Sequence, residues 1–158
     1  MYTRTANPGA GAKSYSQVGL QSGAMSASPH QLITMLFDGA KITIAMARHH
    51  MANKEIAAKG KAISKAINII DNGLKASLDA EAGGAAGAKL VANLSALYDY
   101  INQRLMQANL RNDPALLDEA ERLLESIGSA WREIDPQKSY ARSQASNDPT
   151  PQRFSVGA

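Results

Sequence analysis

Apolar residues recur every three or four positions along most of this chain, and four stretches hold that rhythm long enough to predict helices. The first starts at Ser28, which stands as N-cap before Pro29, with Gln31 three residues on in a capping-box pattern. It is expected to run to about Met51. A second segment follows from about Asn53, carrying Ile56, Ile63, Ile67, Ile70, Leu74 and Leu78 as one stripe. The small, glycine-rich run from Asp79 to Ala88 breaks the pattern and reads as a connection. A third helix is predicted from Ala88 to about Asn109, with Leu90, Leu94, Leu97, Tyr98, Ile101 and Leu105 on one side. Asp113 and Pro114 repeat the cap-and-proline start, and Leu116, Leu123, Leu124, Ile127, Trp131 and Ile134 form the stripe of a fourth helix that ends before Pro136.

Four helices joined by short connections force antiparallel neighbours, so the expected fold is all-α, an up-down-up-down four-helix bundle over residues 28–134. Residues 1–27 are expected to form a flexible arm, with Tyr15, Val18, Leu20 and Met25 available for loose docking. Residues 135–158 are polar and proline-bearing, and are expected to be a disordered tail.

The first helix is unlike the other three. At about 100° per residue, Ile42, Met35, Met46, Gly39, Leu32, Leu36, Ala47, Ala40, Ile33, Ile44 and Phe37 fill an arc of roughly 220°, interrupted only by Thr43 and His50. The stripes of the second and fourth helices span roughly 80° and 140°, which is what a core-facing helix needs. The first helix therefore has apolar surface to spare. One edge of it can fill the core while the other, placed around Ile33, Phe37 and Ile44, lines a groove. Two alternatives remain: this helix is the most buried of the four, or the N-terminal arm covers it permanently. An aliphatic groove is how proteins capture an amphipathic helix from a partner.

Charge adds a second relation between the helices. The chain carries 17 Lys and Arg against 14 Asp and Glu, a net charge of +3 that is too modest to predict nucleic-acid binding. From Pro29 to Ala80 basic residues outnumber acidic ones, and from Glu81 to Ile134 the balance reverses, so the two halves should attract. Lys54, Lys61 and Lys65 lie opposite the apolar stripe of their helix and read as a solvated face, because no aromatic residue stands among them to stack a base.

Catalytic patterns fail on spacing. His49 and His50 are adjacent and point about 100° apart on a helix, so they cannot chelate one metal together. His30 stands alone in a first turn and reads as solvated. The run from Gly83 to Leu90 has Ala88 and Leu90 where a phosphate loop needs Gly and Ser or Thr. Asp38, Asp71 and Asp99 fall on separate segments with nothing to tune them. Neither enzymatic activity nor any cofactor or metal is expected. With no cysteine, no signal-peptide core and no run of roughly 18 apolar residues, a cytoplasmic protein without membrane insertion is expected.

The blocks SASPHQLITMLFDGA (Ser26 to Ala40), KAINIIDNGLKASLD (Lys65 to Asp79) and LYDYINQRLMQANLRND (Leu97 to Asp113), followed by Trp131, together resemble the flagellar secretion chaperone family FliS. The similarity covers about Tyr15 to Ile134. It implies a cytosolic antiparallel bundle that binds the disordered C-terminal region of flagellin in apolar grooves, prevents premature polymerisation and presents the subunit to the flagellar export gate. It also implies an N-terminal tyrosine and aliphatic pair, matched here by Tyr15 and Val18, that plugs an apolar pocket when cargo is absent. On this reading the groove comprises Leu32, Ile33, Leu36, Phe37, Ala40 and Ile44 with Tyr98 and Tyr100 at a neighbouring edge, and the free protein is a monomer or weak homodimer. Ala85 and Ala86 stand where relatives often carry Glu, and the long C-terminal tail lies outside the shared pattern.

Overall fold

Ser28 begins the first helix by the reciprocal cap its sequence predicts: Ser28 Oγ accepts from the Gln31 amide at 3.1 Å, and Gln31 Oε1 accepts from the Ser28 amide at 2.9 Å. The computed structural model describes residues 26–79 and 83–147. Helix α1 spans Pro29–Ala52. It ends in a tight reversal at Lys54, whose φ of 57° lets the Glu55 amide reach the His50 carbonyl. Helix α2 therefore starts at Ile56, later than the apolar stripe alone implies, and runs to Asn68.

From Ile69 to Lys75 the chain widens into a π-helical segment, in which the Ala76 amide bonds five residues back to Asp71. The wide turn keeps Ile70 and Leu74, four residues apart, both fully buried. Gly73 lies where a Cβ would come within 3.0 Å of Leu36, so the absent side chain lets this segment approach α1.

Helix α3, Gly84–Arg111, begins a turn earlier than expected because, among the described residues of this run, positive φ is confined to Gly83 and Gly84, while the alanines after them favour helix. Asn112 and the Asp113 cap link it to α4, Pro114–Glu133. Pro136 ends α4 as predicted, and the described chain beyond it, expected to be a disordered tail, is helical. Asp135 accepts from the Gln137 amide at 3.0 Å and starts helix α5, Pro136–Ser146. Asp135 and Pro136 repeat the cap-and-proline start of α4, which the low hydrophobicity of the tail conceals. Residues 148–158, and the whole arm from Met1 to Met25 with Tyr15 and Val18, lie outside the described residues.

Each of helices α1 to α4 packs on its sequence neighbour, and α4 closes the ring against α1. All neighbours run antiparallel. The start of α1 meets the end of α4 where Trp131 Nε1 donates to the His30 carbonyl at 3.0 Å, and the start of α2 meets the end of α3 where the buried Lys59 ammonium donates to the Asn109 carbonyl at 3.0 Å and to Asn112. The bundle is all-α, with no strand among the described residues. Ile44, Ile63, Ile70, Ile101, Leu105, Leu117 and Leu124 form its centre. The charge asymmetry of the two halves appears as ion pairs across the ring: Lys41 with Glu125, Arg48 with Asp118 at 2.8 Å and with Glu121, and Lys75 with Asp99 at 2.7 Å.

Candidate functional site

Helix α1 is the one whose apolar arc exceeds what a core can use, and its two edges meet different neighbours. On the α4 side, Gly128 sits so close that a Cβ there would lie 3.3 Å from the Phe37 ring. A glycine inside a helix costs about 1 kcal/mol relative to alanine, and here its lack of a side chain lets α4 close over Phe37. The ion pairs of Lys41 and Arg48 then lie along the α1–α4 seam. Lys41 holds the Glu125 carboxyl below its ordinary pKa, with the Ser129 hydroxyl assisting, and Glu121 and Asp118 raise that of Arg48.

The edge expected to line a groove is thus the sealed one. Phe37 is 2% exposed, Ala40 and Ile44 are fully buried, and Ile33 is half-buried. They are core residues, because α4 packs against that side of α1 and the ion pairs cover the seam. The opposite edge is open. Leu32, Met35, Ile42 and Met46 are 37%, 42%, 61% and 48% exposed, and with Gly39 they recur at steps of three and four along one face of α1. That strip is roughly 21 Å long at 1.5 Å per residue.

The far side of the strip is walled by α2 and the π segment. Leu36, half-buried, packs against Gly73, and Gly39 faces Ile69. At the lower end a hollow of about 260 Å³ is lined by Thr43, Met46 and His50 of α1 and by Ala58, Lys61, Ala62 and Lys65 of α2. Thr43 donates its hydroxyl to the Ala40 carbonyl at 2.8 Å, so its polarity is satisfied within its own helix and its methyl continues the apolar floor. His50 Nδ1 lies 3.3 Å from the Glu55 carboxylate. At the upper end a hollow of about 500 Å³ lies between Ser26, just before α1, with His30 and Met35 of α1 on one side and Arg132 of α4, the cap residue Asp135 and Lys138 of α5 on the other.

The two tyrosines are not brought to this strip. They lie on α3, which packs on α2 and α4, across the ring from α1. Tyr98 is 3% exposed, and burial pushes its phenol up to about 12 from an ordinary 10.0. The neutral phenol therefore contributes stability that is complete below pH 10 and is lost as pH rises toward 12. Tyr98→Phe is expected to flatten the loss of stability between those values, read as urea midpoints at stepped pH. Tyr100 donates its hydroxyl to Glu119 and accepts from Arg104 Nε at 2.8 Å, with the guanidinium 5.0 Å from the ring centre. It is part of the α3–α4 seam.

Of the expected groove residues, Leu32 lies on the open strip and Leu36 at its inner wall. Met35, Ile42 and Met46, which belong to the same arc in the sequence, are the residues the edge assignment missed. His30, expected to be solvated, stacks on Trp131 with ring centres 4.6 Å apart, and its Nε2 donates to the Trp131 carbonyl at 2.6 Å. Lys54, Lys61 and Lys65 are exposed, and Lys61 and Lys65 also border the lower hollow. No helix among the described residues is long and apolar enough to cross a membrane.

The model of the family described as "Flagellar protein FliS" matches residues 11–138 of this chain. The chain is similar to the flagellar secretion chaperone FliS of Salmonella typhimurium, 52% identical over 144 residues that cover 91% of this chain and 100% of that protein. It is 47% identical to the flagellar secretion chaperone FliS of Escherichia coli over 123 residues, 78% of this chain and 88% of the relative. The flagellar secretion chaperone FliS of Bacillus subtilis is 32% identical over 113 residues, 72% of this chain and 80% of the relative.

Proposed function

This chain belongs to the FliS family of flagellar secretion chaperones, and from that premise we propose that it binds the C-terminal segment of flagellin in the cytosol, blocks its polymerisation and holds it for the flagellar export gate. The activity is binding rather than catalysis. The observation that carries the reading is the open strip of Leu32, Met35, Gly39, Ile42 and Met46, on a helix whose other edge already fills the core. A segment that folds into an amphipathic helix can lay its apolar face along such a strip and wall. Ordering that segment costs roughly 2–5 kcal/mol, so only a long contact leaves useful affinity.

Tyr15 and Val18 would plug part of the strip in the free protein. The described chain begins at Ser26, beside Met35 at the strip's upper end, within reach of such an arm. Cargo then competes with the plug, and the apparent affinity is reduced by the plugged fraction.

Calorimetric titration with a purified flagellin C-terminal fragment tests both parts. Saturable binding with a negative heat-capacity change is expected, since apolar surface is buried. Absence of binding removes the reading. Deleting residues 1–25 is expected to tighten binding several-fold. An unchanged dissociation constant would remove the plug and leave the groove. A nucleic-acid role, by contrast, would require affinity for an oligonucleotide that falls steeply with salt.

A further inference from the structure

Resting on the chaperone reading, we infer that the groove selects a helix with an acidic flank, and that Lys61 and Lys65 are the residues that read it. The two long sides of α1 differ in charge state. Along the α4 side each cation faces an acid: Lys41 faces Glu125, and Arg48 faces Asp118 and Glu121. On the α2 side, Lys61 and Lys65 stand one helical turn apart at the rim of the hollow floored by Met46 and Thr43. Both are exposed, and neither has an acidic partner among the described residues.

The residues between the lysines and the apolar floor are small. Ala58 and Ala62 line the same hollow, so a guest backbone can come close enough for both ammonium groups to reach over it. A helix lying on Ile42 and Met46 would then present one flank to α2. Acidic residues four apart on that flank match the spacing of Lys61 and Lys65. Lysine on a plain solvated face would be scattered with respect to an apolar strip; these two border it. No Phe, Tyr or Trp lines the hollow, which disfavours stacking of nucleic-acid bases. Rim charges of this kind act chiefly on association rate and on the orientation of the guest, and less on residence time.

The test is titration and stopped-flow mixing of the full-length chain with the flagellin C-terminal fragment. Wild type is compared with Lys61→Glu/Lys65→Glu, with Lys61→Gln/Lys65→Gln and with Lys89→Glu, an exposed residue of α3, which does not border the groove. The double Glu variant is expected to bind on the order of tenfold more weakly, mainly through slower association, with the Gln variant intermediate and Lys89→Glu unchanged. Raising salt from about 0.05 to 0.5 M should close most of the gap between wild type and the double Glu variant. Wild-type affinity and association rate in a double Glu variant with an unchanged urea midpoint overturn the inference and leave the chaperone reading standing. Failure of the wild-type chain to bind the fragment overturns both. An oligonucleotide that binds wild type and is lost in the double Glu variant would assign the lysines to phosphate instead, and that too overturns the inference.

Discussion

Phe37→Ala is expected to lower the stability of the bundle by roughly 3–5 kcal/mol, read as a shift of the urea midpoint at constant slope. Phe37 is 2% exposed, and the surface it meets on α4 is the backbone at Gly128. Truncation there leaves a cavity that Gly128, lacking a side chain, cannot help to fill, so the cost belongs at the upper end for core substitutions. Ile44→Ala, at a fully buried position two turns further along the same edge, should cost about 2–5 kcal/mol through the cavity it leaves. Ile42→Ala on the opposite edge, at 61% exposure, should change stability by no more than about 0.5 kcal/mol. The inverse ranking, with Ile42→Ala more costly than Phe37→Ala, would mean that the two edges of α1 have been exchanged.

The excess of apolar surface on α1 was legible in its own sequence, because the width of an arc depends only on the spacing of residues within one helix. Which edge the core takes was not, because that depends on how closely another helix can approach. Here the signal was a single residue in a different helix. Gly128 interrupts the otherwise helix-favouring run of α4, and a glycine held in a helix interior marks close packing more often than flexibility. Gly73 is the corresponding mark on the other wall, where it admits Leu36. Matching each glycine of one helix against the bulky residues of another would have paired Gly128 with Phe37 and placed the open edge at Ile42 and Met46.

The charge relation was legible for the opposite reason. Long-range attraction between a basic half and an acidic half survives any uncertainty in register, and it appears as Lys41, Arg48 and Lys75 facing Glu125, Glu121, Asp118 and Asp99. Helix starts were legible at Ser28 and Asp113, where a capping residue precedes proline and an apolar stripe follows. The same pair at Asp135 and Pro136 starts α5, but with no apolar stripe after it the chain read as a tail. The π segment had no local signature. It arises where the stripe from Ile67 to Leu78 must stay in line while Gly73 passes Leu36, a requirement set by α1. Tyr100 lies near the margin of the α3 stripe and so reads as a groove edge; its hydroxyl partner, Glu119, is on another helix and cannot be seen from that stripe.

Ile42→Asp/Met46→Asp is expected to weaken binding of the flagellin C-terminal fragment by on the order of a hundredfold, while the urea midpoint stays close to wild type. In the free protein both side chains already stand in water, at 61% and 48% exposure, so a carboxylate at either position remains solvated. In the complex each would be pressed against the apolar face of the guest, and desolvating an unpaired carboxylate opposes binding strongly. The separation of the two readouts is what makes the pair informative. Ile33→Asp, on the half-buried opposite edge, should instead lower stability and affect binding only through the unfolded fraction. A double variant that keeps its fold and takes up the fragment with wild-type affinity would move the docking site off α1, and the exposed apolar residues Ile56, at the start of α2, and Met106 and Leu110, near the end of α3, would be the next to alter.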